Sequence, residues 1–192
     1  MRFERVVVAS KNPDKVEEVE KVLEGLGIVG EIVRDRDWAD VEETEPTLEG
    51  NARLKARAVA QATGLVAIAD DTGLEVDVLG GEPGVISARY AGPDASYADN
   101  VRRLLSELDG RTDRSARFRT VIAVVDPAGE EWIAEGVVEG RITTDPRGSY
   151  GFGYDPVFEV AGRTLGEMTA DEKSEISHRA RALVALAELL RD

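Results

Sequence analysis

The first thirty residues combine a short apolar run with a longer run in which apolar residues recur every three or four positions. The run from Arg5 to Ser10 is apolar and β-branched, which predicts a buried strand. Asn12-Pro13-Asp14 then provides a helix N-cap, a proline at the first helical position and an acid. Apolar residues follow at helical spacing until Gly27: Val16, Val19, Leu23 and Leu26. The pattern predicts a strand, a turn and a helix.

Patterning further along the chain predicts four more strands and three more helices, joined by turns rich in glycine and proline. The predicted strands lie near Ile32-Val33 and over Val66–Ala69, Phe118–Asp126 and Trp132–Glu139. The predicted helices are Thr47–Thr63, Tyr97–Leu108 and a C-terminal helix with an apolar stripe of Leu183, Val184, Leu186, Leu189 and Leu190. Alternating strands and helices, followed by a hairpin and a final helix, predict an α/β fold. We expect a mixed central sheet flanked by helices, with two lobes around a cleft.

The chain has 192 residues, of which 42% are hydrophobic and 32% charged, without a low-complexity segment, an internal repeat or a linker. This length and composition predict a single globular domain over residues 1–192. The net charge of −14 argues against a general DNA or RNA binder, because such proteins neutralise phosphates with Lys and Arg. A small phosphate ester can still bind where a few cations and helix amides are concentrated.

The absence of certain residues and segments narrows the function further. There are no cysteines, which excludes disulfides, a thiolate nucleophile and Cys-ligated zinc. The chain has no run of about 18 apolar residues, and its N-terminus lacks the apolar region of a signal peptide. We therefore expect a cytoplasmic protein that does not interact with membranes. Lysines are rare among the basic residues, so each is informative: Lys11, Lys15, Lys21, Lys55 and Lys173.

Two consecutive carboxylates, Asp70 and Asp71, follow the predicted strand Val66–Ala69. Thr72-Gly73 comes next and predicts a turn that leaves both carboxylates at the edge of the sheet. An isolated Asp-Asp pair more often caps a turn and faces solvent. Glu43, however, adds a carboxylate at the mouth of the same sheet, and Mg²⁺ commonly binds one or two carboxylates together with phosphate and water. Glu43 and Asp71 are our candidate Mg²⁺ ligands, although acids before a helix are also favoured by its dipole.

The segment from Ser10 to Lys15 joins the first strand to the first helix. Unpaired amides at a helix N-terminus point outward and, with the helix dipole, favour a bound phosphate. Lys15 adds a positive charge one turn into the helix, and Asn12 either caps the helix or contacts a ligand. The segment lacks the glycines and the Gly-Lys-Ser/Thr ending of a P-loop. Because an Asn-Pro helix start needs no ligand, a phosphate site and a plain helix cap both stay open.

Two later segments combine turn residues with aromatic or polar side chains. In Phe152-Gly153-Tyr154-Asp155 the glycines allow a flat ligand to approach, and an aromatic ring there can stack on a nucleobase, although core packing of the ring is the alternative. Thr169 and Glu172 have the spacing of a capping box. They are followed by Lys173, His178 and Arg179. These donors either face a purine edge or lie on a solvated helix end.

Taken together, these segments resemble the Ham1, or inosine triphosphatase, family of purine nucleoside triphosphate pyrophosphatases. The resemblance covers nearly the whole chain, and the matching segments occur in the family's order. They are Ser10–Lys15, Glu42–Thr44, Asn51–Ala56, Ala69–Leu74, Leu79–Gly84, Ser87–Tyr90, Gly151–Pro156, Glu172-Lys173 and Ser177–Arg179. The chain departs from the family at Ser10-Lys11, where Thr-Gly is commoner, and at Gly50, where many relatives have Glu. Neither departure touches the expected chemistry directly.

The resemblance implies a Mg²⁺-dependent hydrolase that converts ITP, dITP and XTP to the monophosphate and pyrophosphate, usually as a homodimer. It implies that Glu43 and Asp71 bind the metal and that Asp71 is also the proton acceptor. The residues that it implies for substrate binding are Ser10, Lys11, Asn12, Pro13, Asp14, Lys15, Thr72, Phe152, Gly153, Tyr154, Asp155, Lys173, His178 and Arg179, of which the last two match the base-binding position.

This activity predicts a division of roles among the charged residues. Release of pyrophosphate requires attack of water on the α-phosphorus, so we expect Asp71 to orient or deprotonate that water. Lys15 and Lys173 would hold the leaving pyrophosphate. Donors from His178 and Arg179 fit the 6-oxo group of inosine and xanthosine, but would face the 6-amino group of adenine as donor against donor.

Two other functions stay open at the level of the residues. One is a Maf-like pyrophosphatase that acts on modified pyrimidine nucleotides, and the segment Ser177–Arg179 argues against it. The other is a nucleotide-binding module without catalysis, for which a poor metal site would be the mark. A comparison of ITP, XTP, GTP, ATP and dUTP as substrates distinguishes all three.

Overall fold

The computed structural model describes residues 3–34 and 36–191. The first two residues, which belong to our interpretation of the N-terminus, lie outside the described residues. The strands are β1 (Phe3–Val8), β2 (Val29–Ile32), β3 (Val66–Val76), β4 (Pro83–Gly84), β5 (Ser115–Val125), β6 (Glu131–Ile142), β7 (Phe158–Val160) and β8 (Arg163–Thr164). The α-helices are α1 (Pro13–Leu26), α2 (Leu48–Thr63), α3 (Tyr97–Glu107), α4 (Ala170–Ile176) and α5 (His178–Leu189).

The strands form a mixed sheet in the order β2-β1-β3-β5-β6-β7-β8, with β4 paired to β3. Strand β1 is parallel to both of its neighbours, so that Val6 lies opposite Ile32 on one side and Val66 on the other. Strand β7 is antiparallel to β6 and to β8. The predicted α/β fold, with a mixed central sheet flanked by helices, is confirmed.

Helix boundaries follow the local signals closely. Helix α1 begins after the N-cap Asn12 and ends at Gly27, whose φ of 65° is the left-handed conformation that favours glycine. Helix α2 begins after Thr47, whose side chain accepts the N–H of Gly50, and ends at Gly64. Both helices therefore agree with the predicted ranges, because the capping bonds join residues only two or three positions apart.

The chain forms two compact units, and β3, β5 and β6 each contribute residues to both. Unit 1 contains the described residues up to Asp71, Thr120–Gly136 and those from His178 onward, and unit 2 contains Thr72–Arg119 and Val137–Ser177. The core of unit 1 brings together β1, α1 and α5 and includes Val6, Val19, Leu23, Ile68, Leu183 and Leu186. The core of unit 2 includes Leu74, Leu104, Phe118, Val138, Phe158 and Leu165.

Strand β3 is longer than the sequence predicts. The expected turn at Thr72-Gly73 is wrong, because β3 continues to Val76 and pairs with β4, Leu74 opposite Gly84. A side chain at Gly73 would place its Cβ 2.8 Å from the carbonyl oxygen of Gly84, so the close approach of these strands requires glycine. Asp70 and Asp71 therefore lie inside a strand, each only 4% exposed, and not at a solvated sheet edge.

The apolar stripe of the C-terminal helix is only partly as predicted. The buried face of α5 follows the spacing i, i+3, i+4, i+7 and ends just past the helix: Leu183, Leu186, Ala187 and Leu190. Val184 and Leu189 lie off this face and are 43% and 47% exposed. None of the described helices is long and apolar enough to cross a membrane.

Candidate active site

The turn before α1 is stabilised by hydrogen bonds within the turn itself. Asn12 Oδ1 accepts the N–H of Asp14 at 3.0 Å and that of Lys15 at 3.5 Å, and Ser10 Oγ accepts the N–H of Asn12 at 3.2 Å. Pro13 occupies the first helical position and has no N–H. The expectation that the first-turn amides are unpaired is therefore wrong for Asp14 and Lys15. The helix dipole and the lysine ammonium groups are the remaining attractions for an anion in this turn.

The two lysines of this segment have different surroundings. Lys11 pairs with Asp40, and both side chains are exposed, so this pair contributes little to stability. Lys15 is only 20% exposed, and its Nζ lies 3.3 Å from Asp70 Oδ2. Lys15 thus belongs to a buried charged cluster, and Lys11 belongs to the surface.

Strand geometry separates the two consecutive carboxylates. Successive side chains of a strand point to opposite faces of the sheet. Asp70 contacts Lys15 on α1 and Arg179 on α5, and these two helices pack against each other. Asp71 instead contacts Lys55 on α2. The chain therefore places two acids that are adjacent in sequence into two different environments.

Asp70 is the centre of a buried ion-pair cluster. Its Oδ2 accepts from Arg179 Nη2 at 3.0 Å and from Arg179 Nε at 3.3 Å. Another nitrogen of the same guanidinium donates to Glu18 on α1, and Arg179 is only 2% exposed. Burial on its own would raise the pKa of Asp70, but the charges of Lys15, Arg179 and Lys55 outweigh it and hold this pKa well below its ordinary value. Asp70 is therefore an anchor that stays ionised at neutral pH.

Asp71 shares one ammonium group with Glu43. Lys55 Nζ donates to Asp71 Oδ1 at 2.8 Å and to Glu43 Oε1 at 2.9 Å. Burial raises the pKa of Asp71, and the charge of Glu43 adds to this effect, whereas Lys55 and Lys15 oppose it. The pKa of Asp70 shifts in the opposite direction because three cations, Lys15, Arg179 and Lys55, act on it. A carboxylate with a raised pKa is a better proton acceptor than one whose pKa is lowered.

The second carboxylate oxygen of Asp71 is the feature that fits a metal ion. Oδ2 is buried and has no hydrogen-bond partner among the described residues. A buried carboxylate oxygen without a partner is costly, and a bound cation would satisfy it. Within the described ranges no three His, Cys, Asp or Glu residues converge as a metal site. Glu43 and Asp71 are the two carboxylates here that could hold such a cation, with water and phosphate completing its shell.

His178 lies at the start of α5 and is buried. Its Nδ1 lies 2.6 Å from Oγ1 of Thr120 on β5, which orients the imidazole ring. Gly136 on β6 lets α5 approach, because a Cβ at this position would lie 2.1 Å from the carbonyl oxygen of His178. The solvated helix end that we considered as the alternative is therefore wrong for both His178 and Arg179, because each is almost fully buried.

In unit 2, Asp155 holds the segment Phe152–Asp155 in a closed turn. One oxygen, Oδ2, accepts the N–H of Phe152 at 2.8 Å and Lys173 Nζ at 2.6 Å. Gly151 is required here, since its φ is +71° and a Cβ would lie 2.1 Å from this same oxygen. Lys173 and Asp155 are both buried. The bonds of Asp155 thus fix the backbone of this turn, although the turn contains Gly153 and follows Gly151.

The side chains of this segment have distinct roles. The Phe152 ring is half-buried, and Lys173 Nζ lies 4.8 Å from its centroid. Tyr154 is buried and donates from its hydroxyl to the carbonyl of Ser87 at 2.8 Å, and burial raises its pKa. Gly153 has a φ of +63°. Thr72 is half-buried on β3. Core packing was the alternative role for the Phe152 ring. It is Tyr154, however, that packs in the core, whereas Phe152 is only half-buried.

The structure brings the predicted site residues together in two sets. In unit 1, Lys15 and Arg179 contact Asp70, Glu43 and Asp71 contact Lys55, and Ser10 to Asp14 form the turn before α1. In unit 2, Phe152, Asp155 and Lys173 are in mutual contact. Sequence reasoning assigned no role to Lys55, Asp70, Glu18 or Thr120. For Lys55 a signal was present, because it is one of few lysines and lies beside the buried residue Ala56 of α2.

Comparisons with known proteins show which family the chain belongs to. The model of the Ham1 family matches residues 6–189. A protein of Chlorobaculum tepidum named dITP/XTP pyrophosphatase is 52% identical over 205 residues, which cover 95% of this chain and 91% of that protein. A protein of Bacillus subtilis with the same name is 47% identical over 193 residues, which cover 98% of both chains.

Solved structures of the same fold are also similar. A HAM1 protein from Coxiella burnetii has a TM-score of 0.88 and 40% identity and covers 98% of this chain and 99% of its own. The Ham1 protein of Staphylococcus aureus has a TM-score of 0.85 and 39% identity, with 98% of both chains covered. The family model, the relatives and the solved structures lead to one conclusion: this chain belongs to the Ham1 family.

Proposed function

We propose that this protein is a pyrophosphatase that hydrolyses dITP, XTP and ITP to the nucleoside monophosphate and pyrophosphate, and so removes these nucleotides from the cellular pool. The relatives from Chlorobaculum tepidum and Bacillus subtilis, which are named dITP/XTP pyrophosphatase, support this activity. The single observation on which the mechanism depends is Asp71, a buried carboxylate with a raised pKa and an unpaired oxygen.

In the proposed reaction, Asp71 accepts a proton from a water molecule as that water attacks the α-phosphorus. A bond forms between the water oxygen and phosphorus, the bond to the bridging oxygen breaks, and pyrophosphate leaves with the electron pair. Lys15 and Lys55 supply positive charge in the cluster of unit 1. Asp70 remains ionised throughout, because its low pKa keeps it from competing for the proton.

We propose Mg²⁺ as the cofactor, held by Glu43 and Asp71. When bound, the ion neutralises charge on the phosphate oxygens. The unpaired Oδ2 of Asp71 supports this assignment. Lys55 keeps the two carboxylates close together, since its ammonium group bonds to both.

We propose substrate roles for the residues of each unit separately. In unit 1, the turn formed by Ser10, Lys11, Asn12, Pro13, Asp14 and Lys15 binds the triphosphate, and His178 and Arg179 act at the base. The buried guanidinium of Arg179 is bonded to Asp70 and Glu18, so the orientation of this base contact depends on the cluster. In unit 2, Thr72, Lys173 and the segment Phe152–Asp155 bind substrate, with the Phe152 ring stacking on the base and Lys173 holding the leaving pyrophosphate.

A substrate panel tests the proposed function. Purified enzyme with Mg²⁺ is given ITP, XTP, GTP, ATP and dUTP, and the released pyrophosphate is converted to phosphate and measured with malachite green. We expect kcat/KM to be highest for ITP and XTP and low for ATP, because the donors of His178 and Arg179 fit a 6-oxo group. Faster hydrolysis of pyrimidine nucleotides would favour a Maf-like enzyme, and binding without hydrolysis would favour a nucleotide-binding module.

We also propose that the protein acts in the cytoplasm as a homodimer. The family resemblance supports the homodimer. Light scattering coupled to size-exclusion chromatography tests the dimer, which should have twice the mass of one 20.8 kDa chain. A mass equal to one chain at micromolar concentration would reject it.

A further inference from the structure

The backbone around Phe152 does not by itself fix the orientation of the Phe152 ring. Phe152 is flanked by Gly151 and Gly153, and both glycines have positive φ angles, of +71° and +63°. Asp155 fixes the backbone N–H of Phe152, but this hydrogen bond does not restrict the side-chain torsions. Ordering a ring only when the base binds costs conformational entropy, so a ring that is already ordered binds the base more tightly.

A second aromatic side chain contacts this ring. Tyr97 and Phe152 have ring centroids 5.9 Å apart and an interplanar angle of 39°, which is within the range of favourable aromatic pairs. Lys173 Nζ lies 4.8 Å from the centroid of Phe152. The Phe152 ring is therefore held by a cation and by a neighbouring ring.

Tyr97 is a rigid support because of its place in the fold. It is the first residue of α3, directly after the N-cap Ser96. Ser96 and Asp99 form a capping box in which each side chain accepts the backbone N–H of the other residue. The helix start is thus fixed, and the ring of Tyr97 is presented from a regular element and not from a loop.

Burial in the core does not explain the Tyr97 side chain. Tyr97 is 42% exposed, one of the few large hydrophobic residues of the described chain that are this exposed. It also lies outside every segment that resembles the family, including the neighbouring Ser87–Tyr90. A half-exposed ring packed on a proposed substrate-binding ring has more to contribute to binding than to folding.

We propose that Tyr97 is a positioning residue that orders the Phe152 ring for stacking on the purine base. This inference rests on the proposed function, because it assumes that Phe152 stacks on the base. It assigns to Tyr97 an effect on nucleotide affinity and none on the chemical step. The group that matters is the ring of Tyr97, and its hydroxyl is dispensable.

Steady-state kinetics and binding measurements test this role. KM and kcat are measured for ITP, and the dissociation constant of IMP is measured by calorimetry, for the wild type and for Tyr97→Ala, Tyr97→Leu, Tyr97→Phe and Phe152→Ala. Tyr150→Ala is the matched control, because Tyr150 is 55% exposed and lies in the same region of unit 2 without a ring contact among the described residues.

We expect Tyr97→Ala and Tyr97→Leu to raise KM and the IMP dissociation constant by about two- to twelvefold, the usual worth of an aromatic pair, with kcat within about twofold. Tyr97→Phe should restore the wild-type values, and Tyr150→Ala should not change them. Tyr97→Leu keeps apolar bulk on the helix start, so it remains informative if Tyr97→Ala folds poorly.

Three results would overturn the inference: unchanged affinity in both Tyr97→Ala and Tyr97→Leu, equal losses in Tyr97→Phe and Tyr97→Ala, or a fall in kcat without a change in affinity. The control Phe152→Ala separates this failure from failure of the proposed function. If Phe152→Ala weakens binding while the Tyr97 variants do not, only the inference fails. If Phe152→Ala leaves ITP and IMP affinity unchanged, the stacking role that we propose for Phe152 fails as well.

Discussion

The two units each bury an acid against a lysine, but they do so in different ways. In unit 2, Asp155 Oδ2 accepts from both Lys173 and the backbone of Phe152, which closes a turn. In unit 1, Asp71 gives one oxygen to Lys55 and leaves the other buried without a partner among the described residues. A buried polar atom without a partner destabilises the folded state.

The different bonding of Asp155 and Asp71 indicates that the two carboxylates have different roles. A carboxylate such as Asp155, which is bonded to a cation and to the backbone, orders the chain around it. A carboxylate such as Asp71, with a raised pKa and an open oxygen, is prepared to bind a cation or accept a proton. Removing the charge at Asp71 should therefore affect activity, and removing Asp155 should affect stability.

The largest expected effect is on turnover. Asp71→Asn should lower kcat for ITP by about 10²- to 10⁴-fold, the usual contribution of a general base, because the amide cannot accept the proton. The free energy of unfolding should change less than in a variant that leaves a buried charge uncompensated, because the volume is kept and Glu43 still bonds to the ammonium of Lys55. Pyrophosphate release and urea unfolding, measured on the same preparation, check both expectations. Hydrolysis of ITP at the wild-type rate would contradict the catalytic role.

Asp155→Ala, in contrast to Asp71→Asn, should lower the free energy of unfolding. Removing one partner of a buried ion pair leaves the ammonium of Lys173 uncompensated, which typically costs about 3–5 kcal/mol. Urea unfolding measures this loss. The double variant Asp155→Leu/Lys173→Met is the control, and it should lose less stability than Asp155→Ala because no buried charge is left. A double variant that is less stable than the single variant would contradict a simple ion-pair role.

A smaller effect should appear in the pH dependence of the free energy of unfolding. The pKa of Asp70 is lower in the folded protein than its ordinary value of 3.8. Such a group contributes stability that is fully present above the ordinary pKa and is lost as the pH falls through the lower, folded-state pKa. The free energy of unfolding should therefore fall below about pH 4 more steeply in the wild type than in Asp70→Asn. Equal slopes for the two proteins would show that Asp70 is not the titrating anchor.

The smallest expected effect concerns the turn before α1. Asn12→Ala should cost about 1 kcal/mol of stability, because it removes a helix cap. Thr47→Ala in α2 is the matched control, since Thr47 caps a helix whose N-terminus has no proposed ligand. Similar losses of stability are expected in both variants, but only Asn12→Ala should raise KM for ITP. An unchanged KM in Asn12→Ala would mean that Asn12 is a cap and nothing more.

Several parts of this protein are determined by the sequence itself. The helices α1 and α2 begin after Asn12 and Thr47 and end at Gly27 and Gly64, as their local patterns predict. The capping box at Thr169 is likewise present. Each of these features depends on bonds between residues two to four positions apart, so a short window of sequence contains all the participants. The family resemblance can be recognised from the sequence for a similar reason, because its motifs are short and follow one another in the family's order.

Tertiary structure decided where the carboxylates of β3 point and what they contact. Pairing with β4 extends β3 past Asp71 and makes Gly73 part of a strand, which overrides the local turn signal of Thr72-Gly73. Asp70 meets Arg179 across 109 positions of sequence. Interactions between residues so far apart have no local signature, because they exist only after the strands and helices have packed. The opposite pKa directions of two adjacent aspartates are therefore a property of the folded chain alone.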